Sequence, residues 1–172
     1  YLGSIKNEAE FRLSEAEERI LAETANTGPR ALVRLFEETV SNLSVEFEGR
    51  ELTLPEALDL QRNPDRSLRE RSAEALSNTL EKQNRTITFL YNNIVQSKAT
   101  EDRLRGYRSP EHARHLSNQL DLAIPEIVAT VAESGYPLVA RYYHAKRQLL
   151  GYDTLYHYDR YAPLDASSRH YT

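Results

Sequence analysis

From Arg66 to Arg105 the chain holds neither glycine nor proline, and this stretch constrains the fold more than any other feature. Leu68, Leu76, Leu80, Ile87, Leu90, Tyr91 and Ile94 fall mostly three, four or seven residues apart, the spacing of one helix face. Read as one helix it extends about 60 Å at a rise of about 1.5 Å per residue. Asn63-Pro64 precedes it, Asp65 is placed to cap it and Gly106 to end it. A long charged helix is only marginally stable alone in water, so other elements must pack along it. A kink near Lys98–Thr100 is expected.

The flanking sequence supplies such elements. Ser14-Glu15-Ala16-Glu17 has the form of a capping box, in which Ser14 and Glu17 satisfy each other's backbone N–H groups. The helix it opens should bury Leu13, Ile20 and Leu21 and stop at Gly28 with a left-handed cap. A second helix follows from Pro29, with Leu32, Leu35, Phe36 and Val40 on one face. The segment "LSVEFEGRELTL" alternates apolar and polar on both sides of Gly49, which predicts a hairpin over about residues 43–54 with Leu43, Val45 and Phe47 facing inward. Thr53-Leu54-Pro55-Glu56 forms a second capping box and starts a short helix through Ala57, Leu58 and Leu60. Beyond Gly106, Ser109-Pro110 restarts a helix through Leu116, Leu120 and Leu122. Pro125 opens another, carrying Ile127, Val128 and Val131, and Gly135-Tyr136-Pro137 marks a bend or break. A last helix carries Leu138, Val139, Tyr142, Ala145, Leu149 and Leu150 to Gly151. The expected fold is mainly α: a multi-helix array with one long helix and one small β-hairpin.

Composition narrows the function classes. Charged residues make up 28% of the 172 and the formal net charge is -4, so a general nucleic-acid partner is not expected. There is no cysteine, which excludes disulfides, thiolate zinc sites and cysteine nucleophiles. No apolar run is long enough to span a membrane, and no signal peptide precedes the first helix; a cytoplasmic location is the default expectation. The chain lacks methionine even at position 1, so it is expected to be part of something longer.

Candidate chemistry concentrates in few places. Arg141–Leu164 holds six of the eleven tyrosines, with His144, His157, Asp153 and Asp159. His157 and Asp159 stand two apart, and in an extended segment they would point to one side, where an aspartate can orient a histidine base. Aspartates and tyrosines also tie down loops, and Arg141, Lys146 and Arg147 can pair with Asp153 or Asp159. His112 and His115 share a helix face and are a candidate metal pair, but zinc needs a third ligand and Arg114 stands between them. Arg103, Arg105 and Arg108 precede a helix start, where anions collect; a solvated turn explains them equally. No catalytic, cofactor-binding or metal-ligating residue is assigned on these grounds.

The stretch "RYYHAKRQLLGYDTLYHYDRYAPL" resembles a segment of the oligoendopeptidase F family, within the thimet-oligopeptidase-like zinc metallopeptidases. The pattern is a basic-aromatic helix, Leu150-Gly151, then Tyr158-Asp159 and Ala162-Pro163. Further similarities follow in order: Ser14-Glu15-Ala16-Glu17-Glu18 with Ile20-Leu21, the Val45–Leu54 hairpin, "LTLPEAL", "NPDRSLRERSAEA", Asn92-Asn93 and Arg105-Gly106-Tyr107. Together they cover most of residues 13–164. Such enzymes hold zinc through an H-E-x-x-H pair and a later glutamate, and the resemblance places that motif beyond Thr172. No catalytic position carries over.

The resemblance implies an amino-terminal helical region over residues 1–105, with residues 106–172 leading into a catalytic half not contained here. This chain is then expected to be the non-catalytic helical portion of a zinc peptidase that hydrolyses short peptides. Tyr142, Tyr143, Tyr156, Tyr158 and Asp159 are its channel-wall or seam residues. Zinc belongs to the parent enzyme, with no cofactor expected in this chain. The expected partners are short peptides, the catalytic half and, through uncovered apolar surface, a second copy. A free-standing helical interaction module using the Tyr136–Tyr161 surface remains open, as does a small metal-binding protein using His112 and His115.

Overall fold

The computed structural model describes residues 9–121 and 123–164. Helices α1 (Glu15–Thr24) and α2 (Pro29–Ser41) lead into strands β1 (Ser44–Phe47) and β2 (Arg50–Thr53). Helix α3 (Leu54–Asp59) and a 3-10 turn at Leu60–Arg62 follow, then the long helix α4 (Arg66–Arg105). The chain continues through α5 (His112–Ser117), α6 (Ala123–Leu150) and a 3-10 turn at His157–Asp159. The fold is mainly α, with one antiparallel hairpin.

Contacts group the chain into two units. One joins the residues up to Thr39 with Arg85–Glu133, and the other joins Val40–Asn84 with the residues from Ser134 onward. This grouping by contact is a different kind of division from the boundary expected near residue 105, which rests on the resemblance alone.

In the first unit the capping box forms as expected: the Ser14 backbone N–H donates to Glu17 at 2.9 Å and the Glu17 N–H donates to the Ser14 hydroxyl at 3.4 Å. Helix α1 ends at Thr24 rather than Gly28, and Gly28 does not take the left-handed conformation. Its N–H returns to the Thr24 carbonyl at 3.0 Å while its own carbonyl accepts from Leu32 at 3.1 Å, so consecutive turns carry the chain straight into α2. Ile20 is 63% exposed, contrary to the expected burial, and Leu35 also faces out. Glu18, two residues before Ile20 and on the inner side of α1, faces α4 through Arg105.

Helix α4 is unbroken through Lys98–Thr100, with Lys98 paired to Asp102 one turn on. It closes on Gly106 at φ 76°, where the Tyr107 N–H reaches the Asp102 carbonyl at 2.9 Å and the Gly106 N–H reaches Arg103 at 3.3 Å. This pair of bonds satisfies carbonyls that a helix end otherwise leaves open, and it needs a residue tolerant of the left-handed region. After Gly106, α5 spans only His112–Ser117. Leu120 lies beyond it, and Leu122 falls outside the described residues.

In the second unit Val45 pairs with Leu52 and Phe47 with Arg50. Glu48 (φ 50°) and Gly49 (φ 77°) form the turn between them. Two successive left-handed residues match the twist of a two-residue hairpin. Leu43, Val45 and Phe47 are buried, as the alternation predicts. The second capping box forms at Thr53 and Glu56. Small residues let α3 approach α4: Ala57, Ser72 and Ala73 are buried, and the Ser72 hydroxyl donates to the Ala57 carbonyl at 2.7 Å.

Helix α6 does not break at Gly135-Tyr136-Pro137. Pro137 has no N–H to offer the carbonyl one turn back, a loss of about 3 kcal/mol in a helix interior. Residues 131–134 are exposed, so water can supply the missing donor. Gly151 (φ 68°) ends α6 with the same pair of bonds seen at Gly106.

Candidate functional site

The tyrosine-rich segment belongs to the second unit. Beyond Gly151 the chain turns back, and the 3-10 turn at His157–Asp159 delivers Asp159 to the first turns of α4. Asp159 is fully buried. Its Oδ1 accepts from Arg66 Nε at 3.2 Å and from Arg69 Nη2 at 2.8 Å. Its Oδ2 accepts from Arg66 Nη2 at 2.8 Å and from the Tyr156 backbone N–H at 3.0 Å. Burial pushes the carboxyl up, but hydrogen bonds from Arg66, Tyr156 and Arg69 outweigh it and hold the group below its ordinary value.

Arg69 is also fully buried. Nε donates to the Tyr158 carbonyl at 3.2 Å, Nη1 to the carbonyls of Asn63 at 2.7 Å and Pro64 at 3.0 Å, and Nη2 to the Tyr152 hydroxyl at 3.3 Å as well as to Asp159. All five guanidinium donors thus have acceptors, the condition under which a buried arginine is tolerated. The Arg66 guanidinium lies 4.0 Å from the centre of the Tyr152 ring, a cation–π contact. Lys146 is buried and donates to the Arg160 carbonyl at 2.7 Å. Burial, then the neighbouring Arg69 charge, lowers the Lys146 pKa. The Tyr158 hydroxyl donates to Glu70 at 3.0 Å, and burial followed by that bond raises its pKa.

This arrangement corrects the pairing expected from sequence. Asp159 is taken by Arg66 and Arg69, not by Arg141, Lys146 or Arg147. Arg147 donates to the Asp153 backbone carbonyl at 3.1 Å rather than to its carboxylate. Nor is His157-Tyr158-Asp159 extended: in a 3-10 turn His157 faces out while Asp159 faces in, so no oriented base forms. Asp159 fastens the returning chain to α4 and is not free to accept a proton.

The five expected wall or seam residues divide. Tyr158 and Asp159 are interior. Tyr143 and Tyr156 line an open cleft of about 370 Å³ with Leu155, His157 and Arg160. Tyr142 meets Tyr143 edge-on with ring centres 5.2 Å apart and is otherwise exposed. Arg66 and Arg69 were missed from the sequence. The available signal was their position: Arg69 precedes Ser72, Ala73 and Leu76 on the inward stripe of α4, where a solvated arginine does not belong.

The first unit holds the remaining candidates. His112 is buried, with its ring edge-on to Phe11 and Tyr107, and its Nδ1 accepts the Arg108 N–H at 3.1 Å. Both ring nitrogens of His115 are sealed from solvent without a hydrogen-bond partner. Among the described residues no group of three histidines, aspartates or glutamates comes together. One nitrogen of His112 is already used and no carboxylate joins the pair, so these residues do not fit zinc. Arg105 is not free for an anion: it binds both oxygens of Glu18 at 2.6 and 2.9 Å, and its Nε binds Glu101 at 2.8 Å. The Arg105 hydrogen bonds and the N–H of Leu13 hold Glu18 down at about 2. No helix among the described residues is long and apolar enough to cross a membrane.

Residues 59–171 match the model of peptidase family M3. A group B oligopeptidase, PepB, from Streptococcus agalactiae serotype III (strain NEM316) is 26% identical over 122 residues, 71% of this chain and 20% of PepB. The crystal structure of oligoendopeptidase-F from Enterococcus faecium superposes on 95% of this chain with a TM-score of 0.84 and 22% identity, over 34% of its own length. A candidate peptidase from Chlamydophila abortus superposes on 95% of this chain with a TM-score of 0.81 and 22% identity, over 29% of its length. The chain therefore spans only about a fifth to a third of these proteins.

Proposed function

The chain belongs to peptidase family M3, and on that premise we propose that it is the helical, non-catalytic portion of an oligoendopeptidase F-like zinc peptidase. In this reading the whole enzyme hydrolyses short peptides, works in the cytoplasm, and uses these helices as part of the wall of its substrate channel. The carrying observation is the superposition of 95% of the chain on about a third of an oligoendopeptidase-F.

The residues present support the division of labour. The cluster of buried Asp159 and Arg69 with half-buried Arg66 is closed on itself. It offers neither an open metal position nor a carboxylate near neutrality, which a peptidase centre needs. The Tyr143–Tyr156–Arg160 cleft supplies aromatic area with hydroxyl tips and a cation, which suits the wall of a peptide channel. Zinc would be held by sequence outside these residues.

The test is the reading frame beyond Thr172. An H-E-x-x-H pair is expected there, and the protein carrying it should bind one zinc per chain. A frame that closes without the motif would favour the free-standing interaction module.

A further inference from the structure

Helix α6 contributes Ser134–Leu150 to the second unit, and within that segment the apolar surface is wider than the part the unit covers. Tyr143, Arg147 and Leu150 are half-buried and Lys146 is buried, which marks the packed edge. Beside it run Leu138, Tyr142, Ala145 and Leu149, spaced four, three and four apart, the repeat of a single helix stripe. All are exposed: Leu138 is 64%, Tyr142 52% and Leu149 72% accessible. Arg141, His144 and Gln148 form the polar side. A helix with a packed edge, an adjoining apolar stripe and a polar back is built to be covered from two directions, and the described residues supply only one cover.

We propose that this stripe docks apolar surface of the same polypeptide, in the part of an M3 peptidase that these residues do not span. The inference rests on the reading given above and names the surface on which that remainder packs. The length argument selects this occupant: the two superposed structures place 95% of this chain while leaving roughly two-thirds of their own chains without a counterpart here. The chemistry agrees. The stripe carries no charge, so what it meets must be apolar rather than acidic or basic. It also adjoins a packed edge, so the cover continues an existing core.

The chain has no cysteine, so single cysteines report accessibility cleanly. Leu138→Cys and Leu149→Cys place thiols on the stripe, and Gln148→Cys places one on the polar side. Each is compared in the 172-residue chain and in the full-length protein with any further cysteines replaced by serine. Maleimide should modify both stripe thiols at least about tenfold more slowly in the full-length protein, as expected where reaction requires local opening, while Gln148→Cys reacts equally in both. Equal rates at all positions overturn the docking. Stripe thiols already protected in the 172-residue chain, increasingly so with concentration, assign the stripe to a second copy and overturn it too. Because labelling is independent of catalysis, loss of the peptidase reading alone would leave this result distinguishable.

Discussion

Asp159→Asn is the sharpest perturbation of this structure. The substitution keeps the shape and removes the one anion shared by Arg66 and Arg69. Arg69 has no exposed surface with which to recover water, and buried Lys146 adds a third cation nearby. The new amide can accept at one atom only. Its NH2 must face a guanidinium donor where the carboxylate accepted, since all of Asp159's bonds run inward from donors. Breaking one partner of a buried pair typically costs ~3–5 kcal/mol. Arg69 retains its four other acceptors, which argues against a still larger loss, so about 4 kcal/mol is expected. With a urea slope of about 2 kcal/mol/M, the unfolding midpoint falls by about 2 M. The chain has no tryptophan and six of its tyrosines lie in residues 141–164, so tyrosine emission reports this region. The double variant Asp159→Leu with Arg69→Met should lose less than Asp159→Asn, because the fully buried guanidinium leaves together with its anion, while Lys146 keeps the Arg160 carbonyl and Arg66 is partly exposed. A loss under about 1 kcal/mol, or no coupling between the sites in a double-mutant cycle, would refute the closed cluster.

Phe47→Ala should cost ~3–5 kcal/mol in urea unfolding, since the ring is buried under the hairpin; a loss under about 1 kcal/mol would mean that the ring is not packed. Glu18 has a folded pKa of about 2 against an ordinary 4.5. Its contribution is complete above pH 4.5 and disappears as pH falls through about 2. Glu18→Gln should therefore flatten the acid limb of stability in that window, and an unchanged limb would contradict the pairing with Arg105. If the proposed wall role holds, short peptides carrying a benzophenone should cross-link, in the full-length protein, to the cleft of Tyr143, Tyr156 and Arg160; no adduct between Tyr136 and Tyr161 would remove that role.

What sequence could reveal depended on how local the cause was. The hairpin register follows from alternation across Gly49, and both capping boxes from pairs three residues apart. The long helix follows from a run without breakers. Asp159 needed partners ninety or more residues earlier, and nothing between them fixes the distance, so the nearby Lys146 and Arg147 looked like equal candidates. Pro137 illustrates the reverse error: a local breaker was overridden because the carbonyl it strands lies on an exposed surface. Ile20 matched the inward spacing, yet α1 presents Glu18 to Arg105 instead, and a strong ion pair set the face. The Leu138–Leu149 stripe was legible as apolar, but periodicity does not say what covers it.

On the function proposed above, these helices are scaffold and catalysis needs sequence beyond them. Cleavage of a quenched fluorescent peptide, measured side by side for the 172-residue chain and the full-length protein with and without a zinc chelator, tests it most directly. Chelator-sensitive cleavage is expected from the full-length protein and none from the chain. Chelator-sensitive cleavage by the pure chain, lost in His112→Ala or His115→Ala, would contradict that function.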